Sequence, residues 1–87
     1  MKMLIAIVYD DNVDALIQAL TADSFRVTRV ASTGGFFHKG NTTLLIGVDD
    51  ERIDAAMNVL RQKISPAVDD EKRATVFVVP VSRFEQI

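Results

Sequence analysis

Residues 3–20, "MLIAIVYDDNVDALIQAL", change their apolar rhythm halfway. Met3 to Val8 is a continuous apolar run, which reads as a strand buried on both faces. After Asp10 and Asp11 the apolar residues fall at Val13, Leu16, Ile17 and Leu20. That i, i+3, i+4, i+7 spacing is one stripe of a helix. Asp10 or Asp11 is expected to cap the helix start and oppose its dipole. A faint echo recurs 40 residues on: Asp10, Asp14, Ala15, Gln18 and Leu20 correspond to Asp50, Asp54, Ala55, Asn58 and Leu60. One strand–helix unit is therefore followed by another.

Working outward, "FRVTRVA" (25–31) alternates as a strand, and "TTLLIGVD" (42–49) reads as another. "DDERIDAAMNVLRQKI" (49–64) is a second helix, with Ile53, Ala56, Met57, Leu60 and Ile64 on one face. Its acid-rich first turn suits a helix start, and Pro66 suits a stop. "ATVFVVPV" (74–81) is the last strand, and Pro80, with no N–H to donate, predicts a sheet edge. The order β-α-β-β-α-β predicts one α+β domain over 1–87 with the ferredoxin-like arrangement. Right-handed crossovers put both helices on one face of a four-stranded antiparallel sheet.

The other sheet face is then bare. A solvated face alternates polar with apolar residues, whereas "MLIAIV", "LLIGV" and "TVFVVPV" are apolar on both. A contiguous exposed patch of that size is rare in monomers. Copies of the same chain are the simplest cover, so a closed homo-oligomer with sheets facing inward is expected.

Composition excludes several classes. No apolar run reaches the roughly 20 residues of a membrane span, and "MKMLIAIVYDD" lacks a signal peptide's small-residue cleavage site. The chain has no cysteine, which rules out disulfides and thiolate metal sites and points to a reducing cytoplasm. A net charge of −2 gives no bulk attraction to nucleic acid or anionic membrane. Yet Ser24 to Val48 holds no Asp or Glu, where an even spread of the 12 acids would put about three, and it does hold Arg26, Arg29, His38 and Lys39.

That acid-free zone centres on "STGGFFHKGNTT" (32–43). The glycines suit tight turns, and a hairpin connection that binds nothing would account for them. It would not call for Phe36 beside Phe37. N–H groups at Gly34, Gly35 and Gly40 can approach an anion closely. Thr28, Ser32, Thr33 and Thr42 add hydroxyls, while Arg26, Arg29 and Lys39 add cations able to face phosphate. An aromatic ring can stack on a base, and Asn41 can donate to and accept from a purine edge. Phosphate-type and base-type groups side by side suggest a nucleotide. No GK[ST] follows a strand, which excludes a P-loop ATPase. Enzyme chemistry is not expected: His38 is the only histidine and no nucleophile–base set can be assembled. The adjacent acid pairs read as helix caps and not as metal ligands.

"MKMLIAIV", "FRVTRVASTGGFFHKGNTTLLIGVDDERID" and "ATVFVVPVSRFEQI" closely resemble the bacterial cyclic-di-AMP receptors, a PII-like signalling family. The resemblance covers nearly the whole chain. It implies a homotrimer of ferredoxin-like subunits that binds cyclic di-AMP, with no cofactor, in clefts between neighbours and signals to a downstream protein. By position it implies that Arg26 and Thr28 approach phosphate or ribose, and that Thr33, Gly34, Gly35 and Phe36 line the pocket with Phe36 on an adenine. It further implies that Phe37, where Leu is usual, walls the pocket, that Asn41 hydrogen-bonds an adenine edge with Thr42 beside it in the site, and that Gly47 leaves room for the second base on the neighbouring subunit. Gln86 would meet a base edge from the tail. One departure stands out: the long loop of such receptors between the second helix and the last strand is only Ser65 to Arg73 here. The alternative that this implies is a trimeric scaffold binding another adenine nucleotide or only a protein.

Overall fold

A computed structural model describes residues 1–30, 41–64 and 74–87. Strand β1 spans Lys2–Tyr9, helix α1 Asp10–Ala22, β2 Arg26–Val30 and β3 Asn41–Val48. A single 3₁₀ turn, Asp50–Arg52, leads into α2 (Ile53–Lys63), and β4 spans Ala74–Pro80. The four strands form one antiparallel sheet in the order β2-β3-β1-β4. β1 and β2 thus run parallel with β3 between them, as do β3 and β4 around β1. This is the ferredoxin-like arrangement that the strand–helix repeat predicts.

Alternation along the strands sorts the two faces. Leu4, Ala6 and Val8 on β1, and Leu44, Ile46 and Val48 on β3, are buried beneath the helices. Val13, Leu16 and Leu20 of α1 and Ala56 and Leu60 of α2 close over them. Ile17, Ile53, Met57 and Ile64, the remaining members of the two stripes, pack at the margin of this core. Burying each large aliphatic side chain contributes roughly 1.5–3 kcal/mol, so the helix stripes outweigh local propensity in fixing the fold.

The opposite face carries Met3, Ile5 and Ile7 of β1, Leu45 and Gly47 of β3, and Phe77 and Val79 of β4. The register aligns them in rows: Arg26–Gly47–Met3–Val79, then Thr28–Leu45–Ile5–Phe77. No described helix covers these rows, and Phe77 is 53% exposed. β4 lies at an edge of the sheet, where the missing N–H of Pro80 costs no ladder bond.

The ends of the helices differ from the expectation. Tyr9, not Asp10 or Asp11, is the N-cap of α1, and no side chain caps it. The two acids fall inside the first turn instead, where Asp11 still opposes the dipole. The acid-rich start of α2 likewise forms a 3₁₀ turn before the helix proper. β2 begins one residue later than its alternation suggests, because Phe25 turns into the core.

Phe25 is buried by the way α1 ends. Ser24 adopts φ 66°, in the left-handed region. Its N–H reaches the carbonyl of Thr21 at 3.0 Å, and the Phe25 N–H reaches that of Leu20 at 2.9 Å. These are the paired bonds of a Schellman turn, with the usual apolar contact made by Phe25 and Leu20. Glycine is the common residue at this position because a Cβ is strained there. Ser24→Gly is therefore expected to stabilise the fold by about 0.5–1 kcal/mol, net of glycine's greater freedom in the unfolded chain. Urea titration of both proteins checks this, and an unchanged or lower midpoint contradicts it.

At the first 3₁₀ residue, Asp50 pairs with the Met1 amino group at 3.1 Å and the Lys2 ammonium at 3.4 Å. The amino group first, then Lys2, hold its carboxyl below the ordinary 3.8. A carboxyl depressed in the folded state stabilises above its unfolded value, and the contribution is lost as pH falls through the folded one. Asp50→Asn should thus leave the neutral-pH melt nearly unchanged, since the pair is exposed. Whatever small deficit it shows should close as pH falls below 3.8, measured by melting both proteins across an acid series.

Candidate functional site

The bare sheet face is not flat. At the end where β1 and β2 start and β3 finishes lies a cleft of about 550 Å³. Met3, Leu45 and Gly47 form its floor, Arg26 and Thr28 stand on the β2 side, and Phe84 and Gln86 of the C-terminal tail flank it. The tail leaves the sheet with a Val81 N–H bonded to the Met1 carbonyl at 3.1 Å, which aims residues 84–86 back toward the start of β1.

Gly47 opens the floor. Its nearest neighbours across the sheet are Arg26 and Met3. A Cβ there would point into the cleft and, among the described residues, meet only the Met1 methyl, at 3.3 Å. That atom is the far end of a flexible side chain, so the chain can accommodate a larger residue, which would take up ligand space. Arg26 is exposed and has no ion-pair partner among the described residues, leaving its guanidinium available to an anion.

Four of the eleven sequence-derived site residues therefore meet in one place: Arg26, Thr28, Gly47 and Gln86. Two others do not. Asn41 is on the same sheet face, opposite Tyr9, but six residues along β3 from Gly47. At about 3.3 Å per residue that is roughly 20 Å. Thr42 points to the other face and is buried on the helix side, 5% exposed, so within this chain it does not line the cleft. Thr33, Gly34, Gly35, Phe36 and Phe37 lie outside the described residues, as do Ser65 to Arg73.

Several cleft residues escaped the sequence reading. Ser24, Phe25 and Arg52 form one wall. The Arg52 guanidinium crosses from the start of α2 to the end of α1. There its Nη2 donates to the Asp23 carbonyl at 3.0 Å, sits 3.4 Å from the Asp23 carboxylate, and the group lies 4.1 Å from the centroid of Phe25. Helix α1 has no basic residue in its last turn, so Arg52 supplies from outside the cation that a helix C-terminus favours. A signal was present: an arginine among the acids of a helix start opposes that helix's own dipole, and so asks for a partner elsewhere. Asp49 is the one carboxylate among the described residues of the cleft wall, and Met1 and Val81 add to its apolar rim. Among the described residues there is no group of three or more His, Cys, Asp or Glu that could hold a metal ion, and no helix long and apolar enough to cross a membrane.

Taken together, the cleft offers two guanidiniums, two hydroxyls, an amide and an apolar floor with a side chain missing. That combination suits a small ligand with flat apolar parts and anionic links. Comparison with known proteins agrees. The chain is similar over 99% of its length, and over 96% of that chain's, to the crystal structure of a functionally unknown protein from Pediococcus pentosaceus ATCC 25745, with 30% identity and a TM-score of 0.79. Residues 1–70 match the model of the family described as "Cyclic-di-AMP receptor". With the greater part of its 87 residues inside that match, the chain belongs to the cyclic-di-AMP receptor family.

Proposed function

We propose that this protein is a non-enzymatic cytoplasmic sensor that binds cyclic di-AMP in clefts between the subunits of a homotrimer and passes the signal to a protein partner. The observation that carries the reading is the separation of Gly47 from Asn41 along β3. A ligand that uses the purine-reading amide of one and the empty floor of the other cannot do so across roughly 20 Å of a single strand. Two copies, with the hairpin end of one set against the cleft end of the next, bring them together. The same contact covers Ile5, Ile7, Leu45 and Phe77, whose exposure a lone chain leaves uncompensated. Three such clefts close a ring, as cyclic symmetry requires of a head-to-tail contact.

Within each cleft the apolar floor and Phe84 receive a purine, Gln86 meets its edge, and Arg26 and Thr28 face the phosphodiester. The connection of only nine residues, 65–73, shifts the task of covering the ligand to the tail and the neighbouring copy.

Three measurements test this. Light scattering at micromolar concentration is expected to give three chains per particle, and a monodisperse monomer contradicts the assembly. In calorimetric titration with cyclic di-AMP, Gly47→Leu should bind at least about tenfold more weakly than the wild type, about 1.4 kcal/mol, with its fold intact; unchanged affinity rejects the cleft as the site. Mixing Gly47→Leu with Asn41→Ala, each weak alone, then exchanging subunits, should restore tight binding in about one cleft in four. No recovery on mixing means that the two residues do not meet across a boundary between copies.

A further inference from the structure

The function proposed above uses one cation of the cleft, Arg26. A second, Arg52, lines the same cleft and is held by partners of its own. Arg52 is bound at three points: the Asp23 carbonyl, the Asp23 carboxylate and the face of Phe25. The Phe25 ring holds the guanidinium at 4.1 Å from its centroid, and among the described residues the hydrogen bond it makes is from Nη2 alone. An arginine carries five N–H donors, so Nε and Nη1 keep theirs. The group is partly exposed, at 36%, and lines the cleft.

We propose that Arg52 is a second anion-binding residue of the cleft, taking a phosphodiester oxygen of the bound nucleotide, with Asp23 as its built-in competitor. This rests on the nucleotide-binding reading above and deepens it. A cyclic dinucleotide carries two phosphodiesters, and the cleft lining carries two guanidiniums, Arg26 and Arg52, with Asp49 as the single carboxylate among its described residues. Both forks of the guanidinium include Nη2, whose second hydrogen with Nε or Nη1 matches a phosphodiester's two free oxygens once the Asp23 carboxylate gives way, a match that lysine's point charge lacks. The resident ion pair does not block the exchange. At 3.4 Å, with the Asp23 side chain 53% exposed, it is a solvated surface pair of small worth. An incoming diester can share or displace the Asp23 carboxylate while the stacking on Phe25 and the bond to the Asp23 carbonyl keep the arginine in place.

A purely structural Arg52, serving only to tie α2 to the end of α1, makes the opposite forecast for Asp23, and this separates the two roles. Asp23→Asn keeps a side-chain acceptor for Arg52 but removes the competing charge. Titration of the full chain with cyclic di-AMP, at low and high NaCl, is the experiment. Arg52→Gln is expected to weaken binding about tenfold at low salt and by less at high salt, because the lost contact is between charges. Arg52→Lys should recover only part of that loss, and Asp23→Asn should bind several-fold more tightly than the wild type. Wild-type binding that Arg52→Gln leaves unchanged, or that Asp23→Asn leaves unchanged or weakens, overturns the assignment and spares the proposed function. A wild type that does not bind cyclic di-AMP at all overturns the proposed function and this assignment with it. If Arg52→Gln fails to fold, the sign of the Asp23→Asn effect decides alone.

Discussion

The pairing of β1 with β3 is the interaction on which everything else in this chain leans. Eight residue pairs join the two strands, from Lys2 opposite Val48 to Tyr9 opposite Asn41. Both strands are apolar on both sides, so this central ladder must be covered twice. The helices cover one side with Val13, Leu16, Leu20, Ala56 and Leu60. On the other side the same ladder presents Met3, Ile5, Ile7 and Leu45, and it is there, where Gly47 interrupts the apolar rows, that the cleft forms. The core and the cleft are thus two sides of one strand pair. A one-residue slip of register would exchange them, turning Gly47 toward the helices and Ile46 into the cleft.

The wall of the cleft depends on a second, smaller device. The turn at Asp23–Phe25 must end α1, send Phe25 into the core and start β2 with Arg26 on the open face. Its two backbone bonds and the strained Ser24 achieve this, and Arg52 reaches over from α2 to hold the carbonyl at the turn. A residue distant in sequence therefore fixes the origin of β2. Because the alternation of β2 is counted from that origin, the outward aim of Arg26 and Thr28 follows from it.

Much of this was legible before any coordinates. The two aliphatic stripes, the doubly apolar strands and Pro80 at an edge dictate the strand order, because hydrophobic periodicity dominates the energetics of so small a chain. The open face followed for the same reason. The site was legible in part. Arg26, Thr28, Gly47 and Gln86 were singled out by residue chemistry and by resemblance, and they do converge. Asn41 and Thr42 adjoin one another in sequence, but a strand sends neighbours to opposite faces, and proximity along the chain hid that. Arg52, Phe25 and Ser24 were not foreseen as a wall, because the contacts of Arg52 with Asp23 and Phe25 join residues far apart in the chain. The caps were misjudged for a local reason: an aspartate at a helix start is equally at home as the cap or within the first turn, since both satisfy the dipole.

The two rims of the sheet also constrain how it can grow. β2 is only five residues long and bears two arginines, and β4 finishes in a proline. Short, charged or donor-deficient margins are poor templates for another strand. Lateral extension into a fibril-like ribbon is thereby discouraged on both flanks, while the greasy broad surface stays adhesive. The broad apolar face, and not the strand margins, is thus the surface that another molecule can cover, a geometry that disfavours ribbon growth.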